Sequence, residues 1–198
     1  MGTEYKNRQI RSSFRKFRDY SEDLLNSDSN SFENRLRIFI HLCENDEIMK
    51  RITIQLKECD VEFDIWWNAS QNTGGSFGGS KTYELPVEEI KRIALLYQLL
   101  LKIHDKEIDF FEFCLDYYGG SKYDQMIYDF NSNITRELVR EINYKLEEII
   151  EEIDEEIGDK GLVPEQFLVI IQDNRTNIGS NNTFSGDASI GGGAKIDK

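Results

Sequence analysis

The residue types that most often carry chemistry are sparse in this chain. It has two histidines, His41 and His104, and three cysteines, Cys43, Cys59 and Cys114. Neither histidine has a Cys, Asp or Glu at the spacing of a zinc site such as H-E-x-x-H. His104 falls at a predicted helix C-terminus, where a cation meets exposed carbonyls, and His41 lies beside an apolar stripe. The cysteines are odd in number, widely spaced and set in apolar helical patterns such as FEFCLD, which predicts buried free thiols in a reducing compartment. A Cys-His nucleophile pair would need partners that meet only in space.

Carboxylates are abundant, so a metal-dependent nuclease site assembled from several helices is conceivable chemistry. The densest group, Glu147, Glu148, Glu151, Glu152, Asp154, Glu155 and Glu156, reads instead as the solvated face of one helix. The interior loop NTGGSFGGSK invites a phosphate-binding reading through its four glycines. A P-loop, however, follows a strand and ends in Gly-Lys-Ser/Thr, whereas here Ser80 precedes Lys81 and the preceding segment is helical in pattern. A surface loop is expected. Trp66 and Trp67 point about 100° apart on a helix, so at most one is expected to be fully buried, leaving the other to mark an interface. No catalytic residue, cofactor ligand or metal ligand is assigned.

What remains is surface. The net charge of -13 argues against a general nucleic-acid binder. It is unevenly spread, with Lys6, Arg8, Arg11, Arg15, Lys16 and Arg18 opposed only by Glu4 at one end, and a densely acidic run from Glu147 to Asp159 at the other. Arg11, Arg15 and Arg18 are therefore expected to meet an acidic surface of the same or a neighbouring chain, carried by Glu148, Glu152 and Glu155.

Helices must position these groups. Apolar residues at three- and four-residue spacing predict a helix from about Glu4 to Leu25, a second begun by Asn30 and Glu33, and a third started by Asn45-Asp46 and ending near Glu58. Asp60 or Asp64 can cap a short helix carrying Phe63, Trp66 and Trp67. Pro86 is expected to open a helix running to His104 with Val87 facing inward, and Asp109 to cap one ended by Gly119-Gly120. A segment from Ser121 leads on to a long amphipathic helix, Asn133 to Ile157, capped by Asn133 and expected to act as the spine of the fold. Phe167 to Ile171 is a β-branched apolar run that reads as a strand. The fold class is thus mainly α, with one helical domain over 1–158, a linker and short strand over 159–174, and a Gly/Asn-rich tail over 175–198. No apolar run follows the start and the longest, Ile93 to Ile103, is too short to span a bilayer, so a soluble cytoplasmic protein is expected.

Ile178, Phe184, Ile190 and Ile196 recur every six residues. With Gly179, Gly191, Ala188 and Ala194 at fixed offsets, the tail resembles the hexapeptide repeat of left-handed parallel β-helices. It is also similar to the IG-x-N-N-T-F-x-G-D-x-x-I-G endings of small bacterial abortive-infection and phage-defence proteins of the AbiTii type, through Ile178-Gly179, Asn181 to Phe184, Gly186-Asp187 and Ile190-Gly191. That resemblance implies a defence context and brings no catalytic residues. The function expected is a non-enzymatic, self-associating interaction protein that forms a homo-oligomer, with no cofactor and no nucleic-acid partner. The alternatives are a membrane-acting effector using the basic first helix or the apolar tail, and a carboxylate-metal nuclease.

Repeat units of this kind bury their apolar column only by stacking on neighbours, so Ile178, Phe184, Ile190 and Ile196, with Phe167, Val169 and Ile171 as a pairing edge, are expected to drive oligomerisation. Deleting the chain from Thr176 onward should lower the particle mass seen by light scattering while leaving the helical circular-dichroism signal nearly intact.

Overall fold

A computed structural model describes residues 7–74, 80–120 and 122–152. These residues form helices and connecting turns, with no strand among them. The order is α1 (Asn7–Leu25), α2 (Phe32–Asn45), α3 (Glu47–Glu58), α4 (Phe63–Gln71), α5 (Glu89–His104), α6 (Phe110–Tyr117), α7 (Tyr123–Phe130), a π turn (Asn131–Thr135) and α8 (Arg136–Glu152). The chain is mainly α, as its periodicity predicts. The strand expected over Phe167 to Ile171 and the whole tail lie outside the described residues.

The spine is α5, a correction to the expectation that the long acidic helix fills that place. Ile93, Ala94, Leu95, Leu96, Tyr97, Leu99, Leu100, Leu101 and Ile103 are all buried, because a helix apolar around most of its circumference must be covered by several neighbours. It packs against α2, α3 and α8. α8 is amphipathic and buries one face only, through Leu138, Val139, Ile142, Leu146 and Ile149. Phe17 meets Phe39 at 5.6 Å between ring centroids, joining α1 to α2, and Phe110 meets Phe32 at 4.5 Å and Phe130 at 5.2 Å, joining α6 to α2 and α7.

Nor does a new helix start at Asn133. The backbone is helical without a break from Tyr123 to Glu152, passing through the π turn, and Asn133 Nδ2 donates to the Asp129 carbonyl 2.7 Å away, one turn back within that helix. The residue with structural weight is its neighbour Asn131. Buried, it donates from Nδ2 to the Leu24 carbonyl (2.9 Å) at the end of α1 and accepts from Thr135 Oγ1 (2.9 Å). Gln98, on α5, does the same for α3, donating to the Leu56 and Cys59 carbonyls, both at 2.9 Å.

Two caps follow the sequence. Asp46 accepts from the Ile48 and Met49 amides, and Asp109 from that of Glu112. Three starts differ. α2 begins after Ser31, whose hydroxyl donates to Asp28, so the Asn30-Glu33 pair does not cap it. α4 begins after Glu62, which sits in the left-handed region (φ 48°), while Asp60 forms a turn by accepting from the Glu62 amide and Asp64 lies within the helix. α5 begins at Glu89, since Arg92 Nη1 donates to the Pro86 and Val87 carbonyls (3.2 and 3.0 Å) and holds those residues out of the helix. Val87, expected inward, is 97% exposed.

Asn131 is buried with both its amide nitrogen and its amide oxygen engaged. Asn131→Ala should destabilise the protein by about 1–3 kcal/mol, the usual cost of leaving buried partners without a hydrogen bond, measured by urea unfolding.

Candidate interaction surface

α1 turns Ile10, Ser13, Phe14, Phe17, Ser21 and Leu24 into the fold. Directly opposite, at the same three- and four-residue spacing, Arg8, Arg11, Arg15, Arg18, Asp19, Glu22 and Asn26 form an exposed stripe. Its first half is basic and its second acidic. A helix carries partial positive charge at its N-terminus and partial negative charge at its C-terminus, so this order opposes the dipole at both ends. α1 has no acidic residue in its first turn and no basic residue in its last.

Two clefts border the helix. One, about 400 Å³, is lined by Asp19, Glu22, Asp23, Asn26, Ser27, Ser31 and Arg35. Within it Asp23 is paired with Arg35 at 2.6 Å. The other, about 610 Å³, runs between α1 and α2 past Lys16, Tyr20, Arg37, His41, Asp46 and Glu47. Lys16 stands 3.6 Å from Asp46, which also accepts from Ser13 Oγ at 3.0 Å. Arg15, Arg18, Asp19 and Glu22 have no ion-pair partner among the described residues.

Of the acidic residues expected to receive the basic helix, only Glu148 has its side chain among the described residues. Glu148 pairs with Lys145 (3.2 Å), which also reaches Glu89 (3.0 Å). Upstream on α8, Arg92 lies 3.5 Å from Glu137 and 3.3 Å from Glu141, and Arg140 pairs with both. The side chain of Glu152, and Glu155 altogether, lie outside the described residues, as do Ile178, Phe184, Ile190, Ile196, Phe167, Val169 and Ile171. The structure exposes Arg11, Arg15 and Arg18 together on one face. The acidic half of the stripe went unread in the sequence, although Asp19 and Glu22 each stand four residues beyond an arginine, Arg15 and Arg18, and continue their face.

The remaining candidates are built into the fold. Trp66 and Trp67 are both half-buried in an aromatic layer. Trp66 Nε1 donates to the Glu84 carbonyl at 2.7 Å, and Trp67 stacks on Phe113 at 6.1 Å. Tyr83 and Tyr117 complete the layer, their rings 5.4 Å apart, and burial pushes both phenols above their usual range. At the foot of the Gly-rich loop Thr73 Oγ1 donates to the Thr82 carbonyl and accepts from the Thr82 amide, both at 2.8 Å. Lys81 is engaged by Asp116 (2.6 Å) and by Gln71. His41 is exposed and His104 Nδ1 lies 2.8 Å from Asp105. Among the described residues no three His, Cys, Asp or Glu side chains are grouped to hold a metal ion, and no helix is long and apolar enough to cross a membrane. No protein-family description, curated protein or solved structure matches the chain.

All three cysteines are free thiols, but they are not all buried. Cys43 and Cys114 are fully enclosed, and burial raises both thiols, that of Cys114 to about 12. Cys59 is half-exposed at the end of α3, where the chain leaves the core. A neutral-pH alkylating reagent should therefore label Cys59 in the native protein and reach Cys43 and Cys114 only after unfolding, as peptide mass spectrometry would show.

Proposed function

We propose that the protein is a non-enzymatic interaction protein that self-associates through the charged face of α1, and that it serves in bacterial phage defence, as its tail resemblance implies. The observation supporting self-association is the charge order on α1. Residues directed away from the core contribute no packing, and charges set against the helix dipole weaken the helix that carries them. Such local conflicts are expected where a surface is shaped for a contact beyond its own element. The partner chemistry follows from the whole chain, because at a net charge of -13 a second copy offers acidic surface to the basic half of the stripe.

Contacts between exposed charges are individually weak and are screened by salt. The mass of the native particle at low ionic strength should therefore fall as salt is added. Reversing Arg11, Arg15 and Arg18 to Glu should lower the low-salt mass and flatten its salt response, read by light scattering. An unchanged mass and salt response would overturn the proposal. The defence role is tested separately, by comparing phage plating on bacteria that do and do not express the intact chain.

A further inference from the structure

The stripe on α1 is self-complementary. Arg15, Arg18, Asp19 and Glu22 share one face, exposed and without ion-pair partners among the described residues. Their own helix gives them a poor alternative, because Arg15 with Asp19 and Arg18 with Glu22 stand in the less favourable basic-then-acidic order at four-residue spacing. The acidic pair lines the cleft of about 400 Å³ beside α1, so its carboxylates border a concavity that can admit a guanidinium. We infer that two copies of the chain pair by laying their α1 helices antiparallel, with Arg15 and Arg18 of one copy against Glu22 and Asp19 of the other.

A two-fold axis passing between Arg18 and Asp19 sets Arg15 opposite Glu22 and Arg18 opposite Asp19, each pair occurring twice. The same axis sets Arg11 opposite Asn26, so no like charges meet along the stripe. A parallel arrangement would place arginine on arginine. Contacts of this isologous kind close on themselves and stop at a dimer. On the rival acceptor, the described part of α8, Glu137, Glu141 and Glu148 are already paired with Arg92, Arg140 or Lys145, which leaves Glu147 and Glu151 as its exposed carboxylates without an ion pair among the described residues. The inference rests on the reading of α1 as the self-association surface, and adds which surface receives it.

Two variants of the full chain separate the two claims. Arg15→Glu with Arg18→Glu makes the stripe acidic in its central turns, and Asp19→Arg with Glu22→Arg makes it basic. The four positions are exposed and Glu and Arg are both good helix formers, so folding should persist, as circular dichroism would verify. Measured by sedimentation at low salt, each variant alone should self-associate at least about tenfold more weakly than the wild type, the effect of turning several exposed pairs from attraction to repulsion. An equimolar mixture of the two should recover association. If the basic variant self-associates as well as the wild type or better while the acidic one fails, the acceptor is another acidic surface; the antiparallel pairing is then wrong and the proposed function stands. If the mixture fails to recover, the pairing is also wrong. If neither variant alters association, both the pairing and the proposed function fall.

Discussion

Every helix leaves its last carbonyls without partners inside the helix, and here two of those ends are served by amide side chains from distant parts of the fold. Asn131 donates to the end of α1 and Gln98 to the end of α3. Neither α1 nor α3 ends in a glycine, the residue that most often lets a helix turn its own carbonyls back on itself. The two amides therefore do more than fill polar gaps. They fix where α1 stops against the π turn and where α3 stops against α5, so the register of the helices follows from hydrogen bonds as well as from packing.

Around these fixed points the apolar residues sort by how far their pattern wraps each helix. α5 is apolar around most of its circumference and sits in the middle, while α1 and α8 are apolar on one side and lie at the surface. The polar cluster of Arg92, Glu137 and Glu141 then ties the segment before α5 to α8. Because Arg92 holds the Pro86 and Val87 carbonyls, a sequence with a good first-turn proline starts its helix three residues later.

The helices were legible because three- and four-residue periodicity is a local property, as were the caps at Asp46 and Asp109. What was not legible required knowing which parts meet. The start signal at Asn133 fails because the helix runs on through it and Asn131 is drawn into the core by the end of α1, an interaction across 107 residues. The burial order of α5 and α8 turns on whether a helix has neighbours on every side. The charged face of α1 was readable as a basic run, but composition by stretch hid that Asp19 and Glu22 continue the same face. The period of the tail remains a property of sequence alone.

The contact from Asn131 to Leu24 spans 107 residues. At synthesis rates of roughly 5–20 residues per second, the end of α1, whose Leu24 carbonyl accepts locally from Ser27, would leave the ribosome about 5–20 s before the Asn131 side chain that ties it to the π turn. During that interval the first helix can form its turns and close its end on Ser27 and Asn26, but its apolar stripe has neither α8 nor the π turn to cover it. The N-terminal half is thus bound to wait for the C-terminal half, and a truncated product ending before Asn131 would carry a first helix untied to the rest of the fold at its end.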